Sequence, residues 1–276
     1  MSTGAASPIR EIIAYRELLW MLVWRDVRVR YKHSLLGAAW AILPPLATMA
    51  VFVLVFRGAL RVGADVLTGS SRTPYPLFAL AGLVPWMYFV AALNGSVGSL
   101  VANRPLLTKV QFPREVFPFA AVGAALLDFA VSGLAVAGLA AWYALSGEWS
   151  FQFHWSLALL PLVVLVQTTL LCGLALLLAM GHVFYRDVGF ILRAVLPLMM
   201  FVTNVVYDWH GAGPRLRMLA QLNPMTPIIA AYRDCLLHGR APDPATFGYA
   251  AAVSGLTLAA AWSWYHRREY EFAECA

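Results

Sequence analysis

Apolar residues run almost without interruption through six stretches of this chain, at 34–56, 75–98, 116–145, 156–180, 189–207 and 245–265, with short polar segments between them. Each stretch is near or above the about 20 residues that a helix needs to cross a hydrocarbon layer. The pattern predicts an all-α membrane protein with six transmembrane helices. It reads 1–276 as one membrane domain, with a lead segment at 1–33, a six-span region at 34–266 and a tail at 267–276.

Ahead of the first stretch the periodicity changes. Ile12, Tyr15, Leu19, Leu22, Val23 and Val27 share one side of an ideal helix, and Arg10, Glu17, Arg25, Arg28 and Lys32 share the other. Such an N-terminal amphipathic helix lies in the membrane interface or packs its apolar side on the rest of the protein, and in both cases stays outside the hydrocarbon. Between the fifth and sixth stretches, 208–243 is too long for a tight turn. It holds two amphipathic pieces, Pro214 to Leu222 and Pro227 to Leu237, each opening on a proline, and Asn223-Pro224 breaks the chain between them. Short external helices on or dipping into the outer leaflet are expected here, or else a folded external cap.

Composition agrees with a lipid solvent. Apolar residues make up 61% and charged residues 12%, against roughly one half and one quarter in soluble domains. The net charge of +6 comes mostly from arginines in the connections, which suits anionic lipid and excludes nucleic acid as the natural partner. The lead segment, 99–115, 181–193 and the tail together hold 13 of the 20 Lys and Arg residues, which leaves 7 elsewhere. By the positive-inside effect both termini are cytoplasmic. Leu18 to Trp24 is too short for a signal-peptide core and runs straight into Arg25, so no cleaved signal is expected. Cys172, Cys235 and Cys275 are scattered, which predicts neither a disulfide framework nor a metal site.

The chemistry is sparse. The two lysines, Lys32 and Lys109, sit in Tyr-Lys-His and Thr-Lys-Val, so neither belongs to a phosphate-binding loop. Any ATPase driving this chain is another polypeptide. Asp128 is the one carboxylate deep in an apolar stretch; alone it makes a poor proton relay, and a hydrogen bond to another helix is the plainer role. His182 and Arg193 lie near stretch ends and can snorkel. Glu115 and Asp187 each follow an arginine, an arrangement of structural ion pairs or docking contacts, and no HExxH, GxSxG or CxxC is present. The chain is not expected to be an enzyme. Aromatics are abundant, and Trp40, Phe52, Phe56, Trp86, Tyr88, Phe89, Phe201 and Tyr207 are candidates either for interfacial belts or for lining a conduit on which sugar rings could stack.

Four segments in order carry a family resemblance. Arg25-Asp26-Val27-Arg28-Val29-Arg30-Tyr31-Lys32-His33-Ser34-Leu35-Leu36-Gly37, continuing to Trp40 and Pro44-Pro45, resembles the approach to the first span in permease subunits of ABC exporters for cell-surface polysaccharides such as O-antigen, capsule and teichoic acid. Asn103-Arg104-Pro105 through Phe112-Pro113-Arg114-Glu115 agrees, as does Phe184-Tyr185-Arg186-Asp187-Val188. So does Leu222-Asn223-Pro224-Met225-Thr226-Pro227-Ile228-Ile229 through Tyr232-Arg233. The chain departs from the family where relatives tend to carry Ser-Pro after the fifth span: here it has Thr203-Asn204, followed by Asp208-Trp209-His210.

The resemblance implies a multi-pass subunit of the bacterial cytoplasmic membrane that pairs with a second copy of itself. Two separate nucleotide-binding subunits, holding ATP and Mg, would dock beneath. Arg104, Pro105, Lys109, Phe112, Pro113, Arg114 and Glu115 would then form the coupling segment, with Tyr185, Arg186 and Asp187 in a second cytoplasmic loop. Arg25, Arg28, Arg30 and Lys32 would guide the anionic head of a lipid-linked glycan. A drug or small-lipid exporter, and a membrane enzyme acting on lipid-linked sugars, are the competing readings.

Overall fold

In the computed structural model, which describes residues 14–32, 34–70, 73–107, 113–150, 154–208, 215 and 220–275, the chain is helical, with no strand among the described residues. The main helices are α1 (Arg16–Tyr31), α2 (Ala39–Phe52), α3 (Tyr75–Val97), α4 (Val116–Leu145), α5 (Leu160–Phe184), α6 (Asp187–Val202), α7 (Met225–Arg233) and α8 (Pro244–Cys275). The last turns of α2 widen into a π-helix over Val53–Ala59, and α7 does the same over Asp234–His238. Short helices at Ala64–Thr68, Ser99–Ala102 and Arg104–Leu107 lie in the connections.

Five helical segments are long and apolar enough to cross a membrane: Ala39–Ala59, Tyr75–Val97, Val116–Leu145, Trp155–Phe184 and Pro244–Arg267. The stretch at 189–207 behaves differently. Its helix stops at Val202 after 16 residues, about 24 Å at about 1.5 Å per residue, short of the about 30 Å of hydrocarbon. The reason lies across the bundle. Arg233 Nη1 donates to Asn204 O at 2.5 Å and Nη2 to Val205 O at 2.6 Å, so these carbonyls leave the helical ladder to meet a guanidinium.

Helix α3 forms the centre, its span window 78% buried against 6% for α2 and 17% for α8. It packs on α2, α4, α5, α6 and α7. Buried Gln167 ties three helices together: its Nε2 donates to Pro85 O and its Oε1 accepts from Tyr232 OH, both at 2.8 Å. Both halves of that amide are thereby satisfied away from water. Helices α5 and α8 pack backbone to backbone. A Cβ on Gly173 would lie 2.8 Å from Leu258 N, which explains why glycine stands there.

Helix α1 places Leu22 and Val23 on a cluster with Phe117, Ala120, Leu176 and Tyr265. Its other side mixes apolar and charged groups, with Trp20, Met21 and Trp24 exposed beside Glu17 and Arg28. The predicted Ile12 and Arg10 lie outside the described residues. In the 208–243 segment, α7 opens two residues before the expected Pro227, and Met225 N–H is held by Asn223 Oδ1 at 3.0 Å. It is no surface helix: Met225, Ile228, Ile229 and Tyr232 share the main core with Leu83 and Leu170. Most of the piece expected at 214–222 lies outside the described residues.

Candidate functional site

Several polar residues line a cavity of about 610 Å³ between the end of α1 and helices α2, α3, α4 and α6. Its walls are mostly hydrocarbon, from Trp40, Pro44, Pro45, Trp86, Leu196 and Met200 among others. Polar groups are few and grouped. Asp128 accepts an ion pair from Arg30 and a hydrogen bond from Tyr31 OH at 2.8 Å. One turn along α4, Ser132 Oγ lies 2.8 Å from both Ala41 O and Asp128 O, joining α2 to α4. Thr48, Asn94 and Arg193 also line it. Burial raises the Tyr31 hydroxyl above its usual pKa, against the pull of Arg30, so it remains a hydrogen-bond donor.

The cost of a lone carboxylate in a span points to a helix-to-helix bond for Asp128, and its partners are the last two residues of α1. A carboxylate deep in a span demands a cation or donors, but the contact is 97 and 98 residues away along the chain. Asn94, Ser132 and Arg193 were not foreseen as a group. The spacing of Asp128 and Ser132, one helical turn apart, was the available signal.

Of the aromatic candidates, Trp40, Trp86 and Tyr88 line the cavity. Trp86 and Tyr88 are buried, and Tyr88 OH meets Thr168 Oγ1 at 3.0 Å. Phe89 stacks on Trp86 inside the core at 5.3 Å. Phe52 and Phe56 stack on each other at 5.9 Å further along α2. Phe201 is half exposed, and Tyr207 OH donates to its carbonyl.

The basic residues of α1 separate into distinct roles. Arg25 chelates Asp26 and donates from Nη1 to Asn103 Oδ1 at 3.0 Å. Arg28 stands over the Trp24 ring at 5.5 Å. Arg30 is committed to Asp128, and Lys32 is exposed. In the expected coupling segment, Arg104 and Pro105 are exposed on a short helix, while Pro113 and Arg114 are half buried. Glu115 is 3% exposed, with Oε1 3.4 Å from Nε2 of His266 on α8. Lys109 and Phe112 lie outside the described residues. Tyr185, Arg186 and Asp187 are exposed together at the turn from α5 into α6.

Thus α1 touches Asn103 of the 99–115 segment through Arg25 and the cavity through Arg30 and Tyr31, between one and two helical turns further on. A model of the ABC-2 type transporter family matches residues 17–237, from α1 through the π-helical turn after α7. The chain belongs to the ABC-2 type transporter family. Among relatives, the O-antigen export system permease protein RfbA of Myxococcus xanthus is 35% identical over 96% of this chain and 98% of its own length. A protein of the same name from Klebsiella pneumoniae is 25% identical over 81% of both chains. The polysialic acid transport protein KpsM of Escherichia coli is 25% identical over 90% of this chain and 92% of its own. In these family terms the apolar helices are those of a transport subunit.

Proposed function

We propose that this chain is the membrane-spanning subunit of an ATP-driven exporter that carries a lipid-linked polysaccharide across the bacterial cytoplasmic membrane. The observation that carries the reading is the end-to-end similarity to an O-antigen export permease, over 96% of this chain. The cavity supports it: a hydrocarbon-walled space with a small polar group at one mouth suits a lipid-linked, hydroxyl-rich cargo better than a free ion.

In this reading α6 with residues 203–207 is the remaining membrane crossing, giving six spans, and α1 lies in the cytoplasmic interface. Both termini are cytoplasmic. A second copy packs along the exposed apolar sides of α2 and α6, where Leu43, Val51, Phe190, Leu198 and Phe201 have no cover within one chain. Two nucleotide-binding subunits hold ATP and Mg and dock on Arg104, Pro105 and the segment through Arg114. Closure of those subunits moves 99–115. Arg25, bonded to Asn103, passes the displacement along α1 to Arg30 and Tyr31, and the Asp128 contact opens or closes the cavity.

The test is to delete the gene, look for lipid-linked glycan retained on the cytoplasmic side, and purify the chain with its ATPase. Retained glycan and a stable assembly whose ATPase falls on Arg104→Ala support the reading. Drug sensitivity without glycan retention would transfer it to a small-molecule exporter, and sugar-transfer activity of the isolated chain would replace it with an enzyme.

A further inference from the structure

At the end of the bundle opposite Asn103, a second and separate space of about 300 Å³ lies between the end of α6, α7 and the start of α8. It is small, at the lower end of the about 300–1,000 Å³ of ligand pockets, and its walls mix polar and apolar groups. Its charged residues already have partners. Asp234 Oδ1 takes Arg240 Nε at 2.7 Å and His238 Nδ1 at 3.0 Å. Asp243 Oδ2 takes Thr246 N–H at 3.0 Å and its hydroxyl at 2.8 Å. Arg233 is spent on the carbonyls of Asn204 and Val205.

Two neutral side chains are buried here with capacity unspent. Asn204 is 7% exposed and Thr226 6%, and both line this space. Yet Asn204 Oδ1 and Thr226 Oγ1 have no hydrogen-bond partner among the described residues. A buried orphan oxygen costs about 1–3 kcal/mol, so two on side chains that line one pocket call for a partner. Their backbones are held in place, Asn204 O by Arg233 and Thr226 N–H by Asn223 O at 3.0 Å. The half-buried Phe247 and the ring of Pro227 offer flat apolar faces beside them. Neutral donors and acceptors next to a C–H-compatible wall, in a space for one ring, describe an uncharged sugar, although the carboxylates of Asp208 and Asp243 also line the space.

We propose that this pocket binds one uncharged pyranose unit through Asn204 and Thr226, a station for the glycan at the far end of its path. The assignment rests on the export reading above. The experiment uses the full permease–ATPase assembly in lipid nanodiscs, with methyl α-mannoside and methyl α-galactoside as probes, read by saturation-transfer NMR alongside glycan export in cells. One probe at least should bind the wild type. Thr226→Val and Asn204→Leu should each weaken that binding about tenfold, the scale of one lost hydrogen bond. Both should reduce export while leaving the thermal midpoint equal or higher, because each removes a buried orphan oxygen. A purely structural role would lower the midpoint instead. Wild-type export with no probe binding, or with binding and export untouched in both variants, overturns the pocket and leaves the export reading intact. Calcium or sulfate binding lost in the same variants also overturns it. Absence of glycan export by the wild type rejects the underlying reading itself.

Discussion

Two arginines reach into this bundle, one at each end, and they are held in opposite ways. Arg233 is 3% exposed, with Nη1 and Nη2 on the carbonyls of Asn204 and Val205, Nε 3.4 Å from Phe78 O, and its guanidinium 3.6 Å above the Phe78 ring. Burial pulls its pKa down to about 9, opposed by Asp208, Tyr75 and Asp234, so it stays charged at neutral pH. Arg30 has a side chain 39% exposed and a single carboxylate partner. A charge sealed among carbonyls cannot leave without stranding them. A half-exposed arginine can turn from its carboxylate to water, leaving Asp128, 17% exposed, to its bond from Tyr31. The first arrangement builds a fixed end, and the second makes a contact that motion can break.

The largest effect follows from removing the fixed one. Arg233→Met leaves two or three buried carbonyls without a donor, at about 1–3 kcal/mol each, a large share of the about 5–15 kcal/mol that holds a domain together. Folded, monodisperse protein should fall sharply, and Arg233→Lys, which cannot span the same fork, should recover only part of it. A wild-type thermal midpoint for Arg233→Met would remove the distinction between the two ends.

Next in size is Gly82→Ala. A Cβ there would collide with Val205 O and the Arg233 guanidinium, and overpacking of this kind costs about 1–3 kcal/mol. Gly138→Ala on α4 meets nothing within 4 Å and should be neutral or slightly stabilising, since alanine favours a helix. Equal midpoints for the two variants would show that the close approach at Gly82 is not tight.

At the movable end, Asp128→Asn and Arg30→Gln should each raise ATP hydrolysis that is uncoupled from export, with the smaller loss of stability for Asp128→Asn, which leaves no carboxylate unpaired. The double variant should add nothing to either single one. Additive losses of stability with normal coupling would make the Arg30 contact as structural as the Arg233 one.

The smallest effect is expected at Asp243, which caps α8. Hydrogen bonds from the Thr246 backbone and hydroxyl hold its carboxyl below the usual range. Its contribution is therefore complete above the ordinary carboxylate pKa and fades as pH falls through the lowered value. The midpoint difference between wild type and Asp243→Ala should shrink on acidification, and a difference constant with pH would assign the effect to packing.

Much of the fold was readable along the chain. Five of the six apolar runs are helices of spanning length, because a helix in lipid satisfies its own backbone and needs only length and hydrophobicity, both local properties. The long 208–243 connection was also legible as helical, from Pro227 and the Asn223-Pro224 break. Its place was not. Helix α7 is sunk in the core through Ile228, Ile229 and Tyr232, and amphipathicity alone cannot tell an outer leaflet from a protein groove. For the candidate site, Asp128 and three of the eight aromatics were identified in advance, but their grouping was not.

What the sequence determined by itself is the membrane class, the helical segments and the chemistry that is missing from them. The tertiary structure alone decided which charges are spent and on what: Arg233 on carbonyls of α3 and of the segment after α6, Arg30 on Asp128, Arg25 on Asn103. It also decided where α6 ends. Helix formation depends on residues a turn apart, whereas a buried charge or carbonyl must find a partner wherever the fold brings one within hydrogen-bonding distance.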